Sequence, residues 1–157
     1  MSRESSRQRD IAALDVALTR IGRAANSRRA ARLRSELSGV DLLPTAVGAL
    51  AAVFRLGPVR LTDVATQLDL EPSRVSKEIN RLVDAGLVAP RTDPTDGRAV
   101  LLSVTDAGAD AFRSYRATVD AQLAALLDDW TDADVRQLAA LLGRLAATVH
   151  REPEESP

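Results

Sequence analysis

Apolar residues recur every three or four positions near both ends of the chain. Ile11, Leu14, Leu18 and Ile21 form one such stripe, which predicts an amphipathic helix from about residue 10 into the basic segment at 28–34. Near the C-terminus, Thr131 is typical of an N-cap and precedes a helix with acidic residues in its first turn. The apolar stripe of that final helix is Val135, Leu138, Leu141, Leu142, Leu145 and Val149. A lobe this small cannot cover both stripes, so we expect an obligate dimer.

Two further helices are predicted closer to the middle of the chain. One starts at Pro44, is apolar almost all round and ends at Gly57-Pro58, so we expect it to be buried. The other starts near Thr105, which is a good N-cap residue, and its helical spacing could extend to Asp128.

The segment between them changes to two short helical stretches. Thr62 is suited to cap the first stretch, in which Val64, Ala65 and Leu68 face inward. Residues 69–71 leave only a tight turn before Pro72 opens the second stretch, which Gly86 ends. Two helices joined in this way must cross steeply, as in a helix-turn-helix.

The second stretch has one apolar and one polar face. Val75, Ile79, Leu82 and Val83 form the apolar face at helical spacing. With an advance of about 100° per residue, the opposite face carries Ser73, Lys77, Asn80, Arg81 and Asp84, with Arg74 and Ser76 on its flanks. Such donors could read bases and hold phosphates in a DNA major groove. An ordinary solvated face is the alternative, and the hairpin that follows favours the DNA interpretation.

That hairpin is predicted from residues 87–92, the turn sequence Asp-Pro-Thr-Asp-Gly, and residues 98–104. Asp96-Gly97 indicates a type I′ turn, which would project Arg98 near the tip. The alternative is a structural hairpin in which Arg91 and Arg98 only keep the edge soluble.

Charge and composition narrow the function classes. The 157 residues have a net charge of −1, but residues 1–40 hold nine arginines and four acidic residues, a balance of +5. Residues 104–157 hold five arginines and ten acidic residues, a balance of −5. There is no cysteine, and the one histidine, His150, lies near the end. We therefore expect no catalytic residues, no metal site and no cofactor.

The polar first ten residues do not form a secretory signal, and no apolar run is long enough to span a bilayer. The expected location is the cytoplasm, without membrane association.

Three segments resemble the signature of the MarR (multiple-antibiotic-resistance regulator) family. They are Leu61-Thr62, the stretch DAGLV at 84–88, and DPTDGRAVLLSVTDAG at 93–108. The last contains the family's Asp-x-Arg as Asp96 and Arg98, followed by Val104, Thr105 and Gly108 of its Leu/Val-Thr-x-x-Gly. In the turn, Asp69 stands where the family often has glycine and Glu71 where a Ser or Thr cap is usual. Asp can adopt the left-handed conformation, whereas Glu71 is a poor cap.

The resemblance implies a mainly α fold with a small β-hairpin wing, in a single MarR-like domain. Residues 10–38 and 104–150 would be dimerisation helices, residues 42–103 the winged helix-turn-helix lobe, and residues 1–9 and 151–157 disordered tails. A homodimer would place a recognition helix in each major groove and each wing in a minor groove of a pseudo-palindromic operator. Asp96 would fix the wing through an internal salt bridge. The DNA-binding residues would be Thr62, Ser73, Arg74, Ser76, Lys77, Asn80, Arg81, Arg91, Asp96 and Arg98.

Many members of the family release DNA when a small aromatic or anionic compound binds. A corresponding pocket would be lined by Leu18, Ile21, Val47, Phe54, Phe112 and Tyr115. Simple core packing explains each of these residues as well, so the sequence does not require an effector.

Three classes of function remain, and we rank them from the best to the least supported by the sequence. A DNA-binding transcriptional regulator, a repressor in our interpretation, has both a recognition face and a wing. A winged helix that binds only proteins is the alternative, consistent with the near-neutral charge and the acidic C-terminal half. An enzyme comes last, because the sequence offers no nucleophile–base pair, phosphate-binding loop or metal cluster.

Overall fold

The computed structural model describes residues 3–39, 41–97 and 99–149. Over these residues the chain forms seven helices and two strands. It divides into two compact units, one ending at Val119 and one beginning at Asp120. No helix in the described residues is both long and apolar enough to cross a membrane. Arg98, His150 and the tail at 151–157 lie outside the described residues.

The first unit begins with helices α1 (Arg3–Ala25) and α2 (Arg28–Ser38). The sequence predicted a single helix here, and that prediction is wrong. Asn26 and Ser27 interrupt it, because the Ser27 hydroxyl accepts a hydrogen bond from Ala30 N at 3.1 Å and so caps a new helix. Helix α1 begins at Arg3, within the stretch 1–9 that the sequence assigned to a tail.

The helix-turn-helix follows a buried helix. Helix α3 (Pro44–Leu56) has Pro44 in its first turn and ends at Gly57, whose φ is 73°, as predicted. Helix α4 (Leu61–Leu68) and helix α5 (Pro72–Asp84) come next, with residues 69–71 as the turn. Asp69 adopts φ 51°, ψ 49°, which confirms that an aspartate takes the left-handed position.

The antiparallel hairpin pairs β1 (Val88–Thr92) with β2 (Val100–Val104), and Val88 lies opposite Val104. Val59 adds one more pair of backbone hydrogen bonds to Leu102, at 3.1 and 2.8 Å. This bridge was not predicted, since a single paired residue leaves no alternating pattern. It fixes the hairpin to the segment that leads into α4.

One hydrophobic core holds this lobe together. Its members come from α3, α4, α5 and both strands, and the largest completely buried side chains are Leu50, Val53, Val64, Val75, Leu82 and Val88. Burying side chains of this size from three helices and a hairpin is the main favourable contribution to folding. The predicted inward positions of α4 and α5 are therefore confirmed.

Helix α6 (Asp106–Leu126) contains the boundary between the units. Thr105 caps it as predicted, because its hydroxyl accepts a hydrogen bond from Gly108 N at 3.0 Å.

In the second unit, helix α7 (Asp132–Val149) is capped by Thr131 as predicted. The Thr131 hydroxyl accepts from Asp134 N at 3.2 Å and donates to the Asp134 carboxylate at 2.6 Å. The pair forms a reciprocal cap in which aspartate replaces the usual glutamate.

Candidate nucleic-acid interface

Helix α5 presents a polar face away from the core. Val75, Ile79 and Leu82 are buried on its inner side, which fixes the orientation of the helix. The predicted outer residues are exposed except Ser76, which is half-buried: Ser73, Arg74, Lys77, Asn80, Arg81 and Asp84. The structure thus places six of the predicted DNA-binding residues, Ser73, Arg74, Ser76, Lys77, Asn80 and Arg81, on one accessible helix.

Both ends of α5 are held by backbone geometry. At its start, Leu70 N donates to Ala65 O at 3.1 Å, closing the turn after α4. Glu71 occupies the N-cap position without a side-chain hydrogen bond, which agrees with its being a poor cap. At its end, Gly86 has φ 71°, and Leu87 N donates to Leu82 O at 2.8 Å.

Thr62 does not occupy the predicted position. Arg60 is the N-cap of α4 and Leu61 its first residue, so Thr62 lies inside the first turn. The prediction that Thr62 caps the helix is therefore wrong. Its side chain is exposed, which leaves the hydroxyl accessible at the N-terminal end of α4.

The wing differs from the predicted hairpin at its tip. Seven residues, 93–99, separate the strands, where a tight turn at Asp96-Gly97 was expected. Asp93 N donates to Ala99 O at 3.0 Å and Ala99 N donates to Asp96 O at 2.8 Å, so the turn spans Asp96–Ala99. Gly97 does not have a positive φ, so the type I′ prediction is wrong.

An ion-pair cluster fixes this loop to the start of α4. Asp93 Oδ2 accepts a hydrogen bond from Arg60 Nη2 at 3.0 Å, and Asp96 Oδ2 lies 3.6 Å from the same nitrogen. Asp93 Oδ1 accepts from both the backbone N (2.8 Å) and the hydroxyl (2.7 Å) of Thr95. The resemblance gives an anchoring role to Asp96. Asp93, which sequence reasoning missed, makes the shorter of the two contacts with Arg60.

The same contacts set the ionisation of Asp93. The Thr95 hydroxyl, the Thr95 amide and the Arg60 guanidinium all stabilise the carboxylate, which lowers the pKa of Asp93 to about 2. The Asp93 hydrogen bond in turn raises the pKa of Arg60. Asp93 and Arg60 therefore stabilise each other in their charged forms.

Glu78 is a second residue that sequence reasoning missed. It lies on the apolar side of α5, three residues after Val75 and four before Leu82, and only 9% of its surface is exposed. Both of its carboxylate oxygens accept from Arg81 Nη1 at 3.1 Å. The sequence could have indicated Glu78 by its position within the apolar stripe, because an acidic residue that is buried there needs a partner.

The predicted effector residues are only partly brought together. Phe54 and Phe112 are in contact, with ring centroids 4.8 Å apart, and Tyr115 is half-buried on α6. Val47 belongs to the buried side of α3. Leu18 and Ile21 are exposed on α1, by 39% and 63%, so they do not join a closed pocket within one chain.

Comparison with known proteins finds similarity in sequence and in structure. A family model described as "MarR family" matches residues 40–99. The HTH-type transcriptional repressor MdtR of Bacillus subtilis is 26% identical over 113 residues, which is 72% of this chain and 73% of that protein.

Solved structures share the fold. A MarR family protein from Bacillus stearothermophilus superposes with a TM-score of 0.78 at 20% identity, over 92% of this chain and 98% of that one. CouR from Rhodococcus jostii RHA1, solved with bound p-coumaroyl-CoA, has a TM-score of 0.67 at 25% identity, over 85% and 91% of the two chains.

Proposed function

We propose that this chain is a transcriptional regulator of the MarR family, to which it is similar in sequence, and that it represses transcription by binding a specific operator through α5. The observation that carries the proposal is the accessible face of α5, where Lys77, Asn80 and Arg81 are exposed on the side away from the core. A helix held in this way can enter a major groove without disturbing the core.

The wing extends the interface in this proposal. Arg91 is exposed on β1, and Arg98 stands between Gly97 and Ala99 in the sequence of the wing loop, although it lies outside the described residues. An arginine at this position would enter the narrow minor groove beside the recognition site, where negative potential is concentrated. Arg60 and Asp93 would hold the loop in place for that contact.

A homodimer would supply two such lobes for a pseudo-palindromic operator. Exposed apolar side chains on α1 and α7 support this assembly, among them Ile11, Leu14, Leu141 and Leu142. We include a small aromatic or anionic effector in the proposal, since CouR is a structural neighbour with a bound aromatic thioester. The Phe54–Phe112 contact is the aromatic surface that such a compound would meet.

The test begins with selection of bound fragments from random duplexes, followed by affinity measurements at several salt concentrations. Replacing both Lys77 and Arg81 by alanine should lower operator affinity, by about 1–3 kcal/mol for each base-reading residue, and should flatten the salt dependence for each lost phosphate contact. Operator binding would also be measured with p-coumaroyl-CoA added, and a loss of bound DNA would show release by an effector.

Arg136 and Arg144 provide the matched control, since both are exposed cations on α7. Their double alanine variant removes the same charge and should keep the operator affinity. Unchanged affinity in the Lys77/Arg81 variant would exclude this face of α5. Failure of the wild-type protein to enrich any duplex would favour the protein-interaction alternative.

A further inference from the structure

The Glu78–Arg81 pair is strongly asymmetric. The Glu78 side chain is 12% exposed, whereas that of Arg81 is 57% exposed. The carboxylate therefore lies at the edge of the core while the guanidinium extends from it onto the outer surface of α5. One end of the pair is fixed by packing and the other faces the proposed DNA.

Stability alone does not account for this arrangement. Removing a carboxylate from water costs free energy, and a well-packed apolar side chain in its place is often neutral or stabilising. Glu78 stands three residues from Val75 and one from Ile79, both of which are buried. An apolar residue would suit such a position, so the acid is better explained by its effect on Arg81.

That effect is to restrict the orientation of the guanidinium. Arginine has several rotatable bonds, and ordering them when DNA binds costs free energy. A side chain that is already held in the bound orientation avoids most of that cost on binding. The contact uses Nη1 for both carboxylate oxygens. Nε and Nη2 lie along another edge of the guanidinium, and two parallel N–H donors are what the N7 and O6 acceptors of guanine require.

We propose that Glu78 is a positioning residue that holds Arg81 to read one guanine of the operator. The inference rests on the proposed function, because it assigns a base-reading role within the same α5 surface. Glu78 also neutralises the charge of Arg81, which weakens attraction to phosphates of any sequence. Together the two effects favour discrimination between sequences over general affinity for DNA.

The experiment compares Glu78→Gln with wild type on the selected operator, on operators changed at single base pairs, and on a scrambled duplex. For Glu78→Gln, preference for guanine at one base pair should fall about tenfold, the effect of losing one well-oriented bidentate contact. Affinity for the scrambled duplex should stay equal or rise, with a steeper salt dependence, because one negative charge is gone. A purely structural role would change all duplexes alike.

Two more variants complete the design. Arg81→Lys keeps the charge but lacks the planar fork, so it should lose preference at the same base pair. Glu78→Met removes the acid at similar volume and should fold even if the glutamine variant does not. Asp110→Asn is the matched control, since Asp110 and Arg113 form the same i,i+3 pair with both side chains exposed, and it should leave base preference unchanged.

The outcomes separate the two proposals. If wild type selects an operator and both Glu78 variants keep the guanine preference, the positioning role is wrong while the proposed function stands. If Arg81→Lys keeps that preference, Arg81 does not read the guanine and the inference is likewise wrong. If wild type enriches no duplex at all, both proposals fail together.

Discussion

Asp93 shows at the scale of one residue how the loop of the wing is held. Its carboxylate accepts hydrogen bonds from Thr95 and Arg60 and is almost completely buried. The lowered pKa means that the folded protein favours the charged form, so this contribution to stability is fully present above the ordinary value of 3.8. It is lost as the pH falls towards about 2.

We therefore predict that Asp93→Asn flattens the pH dependence of the unfolding free energy between pH 3.8 and about 2. The measurement is chemical denaturation of wild type and variant across that range. Thr95→Val removes the hydroxyl that contributes most to the shift and should give an intermediate slope. If the unfolding free energy of Asp93→Asn changed with pH in the same way as that of wild type, the assigned contacts of Asp93 would be contradicted.

Predictions for single residues succeeded where spacing decides the outcome. The buried positions of α5 follow from steps of three and four, and the structure confirms them. The anchoring role of Asp93 could not be predicted in this way, because its partner Arg60 is thirty-three residues away. The prediction of a type I′ turn at Asp96-Gly97 also failed. The loop is closed by backbone hydrogen bonds at its ends, and the Asp-Gly pair alone does not indicate them.

The start of α6 lies very close to the segment that follows α5. The Thr105 hydroxyl donates to Gly86 O at 2.7 Å, and Thr105 N donates to Leu87 O at 3.1 Å. A Cβ on Gly108 would lie only 2.0 Å from Leu87 O. The Thr-x-x-Gly pattern at 105–108 thus lets the first turn of α6 lie directly against the chain leaving α5.

Gly108→Ala should accordingly destabilise the lobe by about 2 kcal/mol or more, since neither backbone can move freely to relieve the overlap. Gly143→Ala on α7 is the control, because nothing lies within 4 Å of its added Cβ. That change should instead stabilise the helix by about 0.5–1 kcal/mol. Thermal or denaturant unfolding of the two variants gives the comparison, and equal stabilities would argue against the close contact.

Most elements were predictable because each is either long or bounded by residues that are typical of helix ends. Proline at the start and glycine at the end delimit α3 and α5, and threonine caps begin α6 and α7. The break between α1 and α2 was missed, since Asn26 and Ser27 are both tolerated inside a helix and the basic run continues beyond them. The extended backbone of Ser27 and its side-chain cap separate the two helices.

At the scale of the whole molecule, several large apolar side chains of α1 and α7 are exposed in the part of the chain that the structure describes. Ile11, Leu14 and Ile21 are 57%, 49% and 63% exposed, and Leu141 and Leu142 are 50% and 43% exposed. Large side chains repeated along a helical face usually mark a surface that binds another protein. Residues 1–40 carry a balance of +5 and residues 104–157 a balance of −5, so two copies could also attract one another electrostatically.

We predict that the protein sediments at micromolar concentration as a particle of about twice 16.8 kDa. Leu142→Glu places a charge within the α7 stripe and should shift the protein towards monomer, with a loss of thermal stability because folding and association are coupled. Ala140→Glu introduces the same charge on the opposite side of α7 and should leave the dimer intact. A wild-type protein that is monomeric and stable under these conditions would show that α1 and α7 do not need a partner, and the dimeric reading of the operator would then lose its structural basis.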